Sequence, residues 1–228
     1  MLIITLAVLL GGGSLILFGA FLFFGALGVA SFGWAETRIL AWDGLLSFLF
    51  FAQHSIMVRP RFQRLLSRLM PAHYHGALYA IASGLVLTIV VVFWQETPTV
   101  VVALEGLWRW LLHAVLALAA AGLAWGALSL SHFDPLGLDS LRAHTPARPV
   151  LVIRGPYRWV RHPLYFFSIV MFWAFPVLST DRLLFNLLWS AWIYAATFWE
   201  ESDLVALFGE PYRDYQRRVP RLFPLTGP

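Results

Sequence analysis

Neither cysteine nor lysine occurs in this 228-residue chain. The first absence removes disulfides, thiolate metal sites and cysteine nucleophiles. The second removes Schiff-base chemistry and any P-loop lysine, and makes arginine the basic residue at all 16 positions. Charge is scarce as well: charged residues make up 12% of the chain against 60% hydrophobic ones, and the mean hydropathy is +0.73. An ordinary soluble domain carries about 25% charged residues, so the composition points to an integral membrane protein. The isoelectric point near 9.8 is then explained by arginine-rich loops on the cytoplasmic face, and a nucleic-acid partner is not expected.

What the chain does have is long apolar runs. A hydrocarbon core about 30 Å thick needs roughly 20 apolar residues in a helix. The stretch from Leu2 to Phe32 meets this without a charge, and it lacks the basic leader of a cleaved signal, so a retained first helix is expected. Ile39 to Val58, Ala77 to Trp94 and Leu107 to Leu130 supply three more spans. Leu164 to Leu178 and Leu183 to Phe198 bracket the polar sequence SerThrAspArg at 179 to 182, which predicts a turn between the arms of a hairpin. The expected fold is an all-α integral membrane protein of five to six transmembrane helices with a C-terminal helical hairpin. It forms a single membrane-embedded domain over 1–228, with four spans in 1–130 and a polar loop, the hairpin and an interfacial tail in 131–228. Assigning loops to alternate sides puts 13 arginines on one face and Arg38, Arg109 and Arg182 on the other. Both termini are therefore expected in the cytoplasm, with a bacterial inner membrane as the location.

Charge beside such runs is costly unless it binds something, and here it is concentrated in two places. In the first, RGPYRWVRHPLY, Arg154, Arg158, Arg161 and His162 precede Pro163, which opens a helix where its missing N–H is harmless. His162 thus sits beside a helix N-terminus, which favours an anion such as a carboxylate. In the second, Glu200 and Glu201 follow the last span, and a glutamate there can accept hydrogen bonds from ribose hydroxyls or an amino group. Beyond them, the run Leu204 to Phe208 with Tyr212 and Tyr215 predicts an amphipathic helix on the interface, its aromatic rings at headgroup depth. The hairpin returns the acidic pair to the face that carries His162, so the two stretches are expected to converge on one ligand.

The ordered set GPYRWVRHPLY, EE and LFGEPYRDYQRRVPRLFP resembles the C-terminal signature of the membrane methyltransferases that include isoprenylcysteine carboxyl methyltransferases and phospholipid N-methyltransferases. The resemblance implies S-adenosyl-L-methionine as cofactor, with binding roles for Tyr157, Arg158, Arg161, His162, Pro163, Tyr165, Glu200, Glu201, Tyr212 and Tyr215. Upstream, FAQHSIMVRPRF at 51 to 62 and LSHFDPLGLDSLR at 130 to 142 are similar to stretches of the methanethiol S-methyltransferases and related NnrU-like proteins. The chain departs from them at 73 to 75, where His73, Tyr74 and His75 replace an acidic-basic pair.

The implied reaction is methylation of a small thiol, methanethiol to dimethyl sulfide. The alternatives are a lipidic acceptor, such as a prenylcysteine carboxylate or phospholipid amine, and a non-enzymatic NnrU-like role. Thiols attack mainly as thiolates, so a base is needed. His54 is the leading candidate, with Gln53, Ser55 and Arg59 as its supporting shell, and Asp43 lies on nearly the same helix face, available to Arg38 or His113. His132 with Asp134 forms a second polar pair. Catalytic roles therefore fall to His54, Arg59 and His132, and neither a metal nor a covalent intermediate is required. Membrane lipids are the expected surroundings.

Overall fold

A computed structural model describes residues 1–130, 133–145 and 150–225. In chain order the helices are α1 (Leu2–Leu6), α2 (Gly13–Phe24), α3 (Glu36–Val58), α4 (Pro60–Leu66), α5 (His75–Phe93), α6 (Gly106–Ser129), α7 (Leu138–Ala143), α8 (Pro163–Trp173), α9 (Thr180–Phe208) and α10 (Glu210–Arg218). A π-helical stretch, Ala7–Gly12, joins α1 to α2 into one continuous rod, and two short strands, β1 (Val100–Ala103) and β2 (Val177–Ser179), form a two-stranded sheet. Among the described residues four helices are long and apolar enough to cross a membrane: Leu2–Phe24, Glu36–Val58, Ala72–Phe93 and Gly106–Ser129. The chain is an all-α integral membrane protein, and these four coincide with the four apolar runs of its first 130 residues.

The C-terminal hairpin is built differently from the sequence expectation. Its first arm, α8, has 11 residues and so rises only about 16 Å, half of a hydrocarbon core. SerThrAspArg is not the turn. Ser179 ends β2, and Thr180 and Asp181 begin the 29-residue α9. Small oxygen-bearing residues serve helix starts as readily as turns, which is why the two were confounded.

The chain forms two compact units. The first comprises Met1–Val101, Asp134–Arg148 and Ser179–Phe185; the second comprises Val102–Phe133, Pro149–Leu178 and Asn186–Pro228. In the first unit the N-terminal rod crosses α5 very closely: a Cβ placed on Gly84 would lie 2.3 Å from the Leu10 carbonyl oxygen. Only glycine permits that approach, a common device where membrane helices associate by packing alone.

Several polar residues of the first unit finish helix ends. Arg182, 2% exposed, donates to the carbonyls of Phe21 and Leu22 at 3.2 Å each, in the last turn of α2, with its guanidinium 5.3 Å from the ring centres of both Phe21 and Phe185. A cation at a helix C-terminus meets the negative end of the dipole and the carbonyls that have no partner within the helix. Asp181 accepts from Trp94 Nε1 (3.0 Å), Thr97 N (3.0 Å) and the Thr97 hydroxyl (2.7 Å), while Glu36 accepts from the hydroxyls of Thr99 (2.6 Å) and Thr180 (2.5 Å). Asp43 is fully buried, and its Oδ1 accepts from the Gln95 backbone N–H at 3.0 Å. Asp43 therefore has a backbone partner within its own unit.

In the second unit α6 and α8 pack through Gly122 and Gly126. A Cβ on Gly122 would meet the Phe167 ring at 2.3 Å, and one on Gly126 would meet Leu164 at 2.8 Å. The Arg154 Nε donates to the Ser129 carbonyl (2.6 Å), completing the C-terminal end of α6. From Phe208 the chain turns at Gly209 and resumes as α10, whose inward face, Tyr212, Tyr215 and then Val219, packs against Leu151, Leu204 and Phe208.

Candidate functional site

A 3-10 turn at Gly155–Arg158 leads through Arg161 to His162, the residue capping α8, with Pro163 in the first turn of that helix. This delivers Arg161 and His162, 8% and 6% exposed, to the last turns of α9, where Glu201 is 3% exposed. Arg161 grips Glu201 with a two-pronged fork, Nε to Oε1 at 2.7 Å and Nη2 to Oε2 at 3.2 Å, and its Nη1 donates to the carbonyls of Gln216 (2.8 Å) and Val219 (2.6 Å). The planar guanidinium suits this bidentate geometry in a way that an ammonium does not. His162 Nε2 lies 3.2 Å from Glu201 Oε1, and its ring stacks on Tyr165 with centroids 5.5 Å apart and planes 9° from parallel. Gln216 Nε2 (3.0 Å) and Arg221 Nη2 (3.2 Å) complete the shell around Glu201 Oε2.

Glu201 lies just beyond the apolar run 183–198, so its ionisation is set by the protein. Burial pushes its carboxyl up, but the hydrogen bonds from His162 and Arg161, with their charges, outweigh that and hold it down at about 2. It is thus a fixed buried anion with its acceptor positions occupied. Burial pushes the phenols of Tyr157, Tyr212 and Tyr215 up, so all three are neutral hydroxyls. The Tyr215 hydroxyl donates to the Tyr157 carbonyl at 2.5 Å.

Beside this cluster the second unit contains a cavity of about 320 Å³. One part of its wall is polar: Tyr157, Arg161, His162, Tyr165, Glu200, Tyr212 and Tyr215. The other is apolar: Leu130, Phe133, Val150, Leu151, Val152, Pro163, Leu164, Leu204 and Phe208. Two buried polar atoms in the wall have no hydrogen-bond partner among the described residues, Glu200 Oε2 and the Tyr212 hydroxyl oxygen. Glu200 Oε2 is 3.7 Å from His162 Nδ1, beyond hydrogen-bond range, and although the Glu200 side chain is 43% exposed this oxygen is not. Buried polar atoms are rarely left unsatisfied, so each such exception needs a reason.

Of the ten residues singled out for cofactor binding, eight line this cavity: Tyr157, Arg161, His162, Pro163, Tyr165, Glu200, Tyr212 and Tyr215. Glu201 stands behind the wall as the anion on which Arg161 and His162 are fixed. Arg158 is exposed and does not belong to the wall. Tyr212 and Tyr215 are each 2% exposed and turn inward, into the wall of the cavity. Their i, i+3 spacing puts both on the inward face of α10, where packing removes their apolar surface from water.

His54 and Arg59 belong to the first unit, Arg59 at the junction of α3 and α4. The Tyr79 hydroxyl lies 2.7 Å from His54 Nε2 and 2.9 Å from Nδ1, while Gln53 turns to the Ser83 hydroxyl at 3.1 Å. Tyr79, a partner absent from the sequence reading, is thus a neighbour of His54. His132 lies outside the described residues. Asp134 accepts backbone N–H bonds from Leu138, Asp139 and Ser140, which ties it to the first turn of α7. Sequence reasoning also missed the apolar wall and the inward reach of Gln216 and Arg221. Only the motif that contains those last two gave any signal of them.

Four long apolar helices, together with a cavity in the second unit walled by buried charge on one side and apolar side chains on the other, fit the class of an integral membrane enzyme. A family model described as phospholipid methyltransferase matches residues 111–211, a stretch running from α6 through the cavity to α10. A methanethiol S-methyltransferase of a Pseudomonas species is 38% identical over 191 residues, covering 80% of this chain and 72% of the relative. Methanethiol S-methyltransferase 2 of Bradyrhizobium diazoefficiens is 37% identical, covering 79% and 71%, and the methanethiol S-methyltransferase of Pseudomonas deceptionensis is 36% identical, covering 80% and 71%. No solved structure gives a significant match. The chain belongs to the methanethiol S-methyltransferase family of membrane methyltransferases. It is a methyltransferase, and the non-enzymatic reading falls away.

Proposed function

We propose that the cavity of the second unit binds S-adenosyl-L-methionine and that the enzyme transfers its methyl group to a small thiol, with methanethiol giving dimethyl sulfide. The observation that carries the donor assignment is the pair of unpartnered buried atoms in the wall, Glu200 Oε2 and the Tyr212 hydroxyl. An acceptor-only carboxylate and a phenol suit a ligand that brings hydroxyls and amino groups. The stacked rings of His162 and Tyr165 offer a flat face to a purine or to a cationic sulfur, and the N-terminal end of α8 favours a carboxylate. When bound, the donor supplies a methyl group on a sulfonium, electrophilic enough for a thiolate to take it in one displacement.

The chain's own part is positioning and the exclusion of water. Glu201, pinned by Arg161, fixes the His162 ring, Glu200 and Tyr212 hold the polar end of the ligand, and the wall from Val150 to Val152 with Leu204 and Phe208 keeps the remainder dry. Holding reactants in line accounts for much of the acceleration available to such a transfer. The thiol's proton is assigned to His54 with Arg59, an assignment that rests on the FAQHSIMVRPRF motif. In the same reading the Arg-rich face, with both termini, is cytoplasmic, which places the charged donor's entry in the cytosol of a bacterium.

Cavity size supports the small acceptor. At about 320 Å³ the space lies at the bottom of the roughly 300–1,000 Å³ range of small-molecule sites, leaving little for a prenyl or acyl chain beside the donor. A lipidic acceptor remains the second reading, favoured by the phospholipid methyltransferase match over 111–211. A chromatographic assay with purified protein, methyl-labelled donor and each acceptor in turn separates the two. Label is expected in dimethyl sulfide. Turnover of a prenylcysteine or a phospholipid amine without turnover of methanethiol overturns the first reading.

A further inference from the structure

Most basic residues of the tail are used locally. Arg213 and Arg217 pair with Glu210, Arg217 also with Asp214, and Arg218 Nε donates to the Asp214 carbonyl, all within α10. Arg221 leaves that pattern. Its guanidinium carbon lies 3.8 Å from the centre of the Phe198 ring and its Nη2 is 3.2 Å from Glu201 Oε2. Phe198 and Glu201 are three residues apart on α9 and so share a face. Arg221 is therefore stacked and ion-paired on one surface of that helix.

The backbone of the same segment is tied to the other half of the site. Arg161 N–H donates to the Pro220 carbonyl at 2.9 Å and His162 N–H to the Arg221 carbonyl at 3.1 Å, immediately before α8 begins. Val219 and Leu222, 8% and 2% exposed, anchor the segment from either side. Residues 219–222 thus form a strap with its main chain on Arg161 and His162 and its one charged side chain on Glu201. These are the three residues whose mutual geometry shapes the polar wall.

We propose that Arg221 is a positioning residue for the methyl donor: it sets the orientation of Glu201 and, through Glu201, that of the His162 ring. The inference deepens the donor assignment above and rests on it. Arg161 and Gln216 also reach Glu201 Oε2, at 3.2 and 3.0 Å, so the carboxylate stays paired when Arg221 is lost and the fold survives. What is lost is the second side of the clamp. Because the Arg221 side chain is 29% exposed, solvent screens part of its pull, and the loss is set at about tenfold in donor affinity, one decade on the free-energy scale.

The test uses the full chain in detergent or nanodiscs. Arg221→Ala is expected to weaken calorimetric binding of S-adenosylhomocysteine about tenfold and to raise the KM for S-adenosylmethionine alike, with kcat within twofold of wild type. Arg221→Lys, which keeps the charge and gives up the planar stack, is expected to recover part of that loss. A purely structural anchor would lower the melting temperature and kcat without a selective change in KM, and that pattern overturns the proposal. Unchanged affinity in Arg221→Ala, with wild type binding normally, overturns it and leaves the donor assignment standing. Wild type that binds no S-adenosylhomocysteine overturns both. Should Arg221→Ala fail to fold, Arg221→Gln takes its place, judged by the same split between KM and kcat.

Discussion

Each of the two units buries a cluster of charge, and the clusters differ in what surrounds them. In the first unit Asp181, Glu36 and Asp43 accept from backbone amides, hydroxyls and an indole, and Arg182 covers helix-end carbonyls. In the second, Arg161, His162, Glu201 and Arg221 bind mainly one another, and they border a cavity whose wall holds two unpartnered acceptors. The first arrangement finishes helices. Each cluster also holds a buried acceptor without a hydrogen-bond partner among the described residues, Asp43 Oδ2 in the first and Glu200 Oε2 in the second, and the second differs in that its orphan atoms face a cavity that a ligand can fill. Buried charge in a membrane protein is a pointer to function, and here the cavity beside the second cluster decides where it points.

The comparison breaks most visibly at Arg161. Arg161→Ala strands a buried carboxylate, a loss of about 3–5 kcal/mol, and is expected to abolish both donor binding and most of the cooperative melting transition followed by differential scanning fluorimetry. Asp181→Ala in the other cluster leaves the Trp94 and Thr97 donors unpaired, for about 1–3 kcal/mol. Its melting temperature is expected to fall while the affinity for S-adenosylhomocysteine holds. If affinity falls as well, the clusters do not have separate roles. Tyr212→Phe removes an unpartnered hydroxyl, so stability is expected to stay within about 0.5 kcal/mol of wild type. Donor affinity should drop roughly two- to tenfold, the value of one hydrogen bond. The smallest effect is in pH. Glu201 is held at about 2 in the folded state against an ordinary 4.5, so its contribution to stability is complete above pH 4.5 and lost as pH falls toward 2. Wild-type melting temperature is expected to decline across that window more steeply than that of Glu201→Gln.

The four long spans were legible because about 20 apolar residues in a row have few other fates in a lipid environment. Pro163 likewise announced the start of α8, and the convergence of His162 with the 200–201 doublet followed from a hairpin that returns the chain to one face. The hairpin's turn was misplaced because Thr180 and Asp181 carry the same oxygen-bearing side chains whether they end a loop or begin a helix. That Tyr212 and Tyr215 turn inward follows from their i, i+3 spacing on α10, but the partners they pack against lie on other elements. Tyr79 beside His54, and Arg221 on Glu201 and Phe198, are contacts between residues 20 or more apart. No local pattern encodes them.

The most direct test of the donor site is a calorimetric titration of S-adenosylhomocysteine into wild type and Glu200→Gln. Glu200 supplies the unpartnered oxygen without taking part in the Arg161 fork. Saturable binding by wild type and at least tenfold weaker binding by Glu200→Gln, with matching melting temperatures, is the predicted result. Equal affinity in the two proteins would contradict the claim that this cavity is where the methyl donor is held.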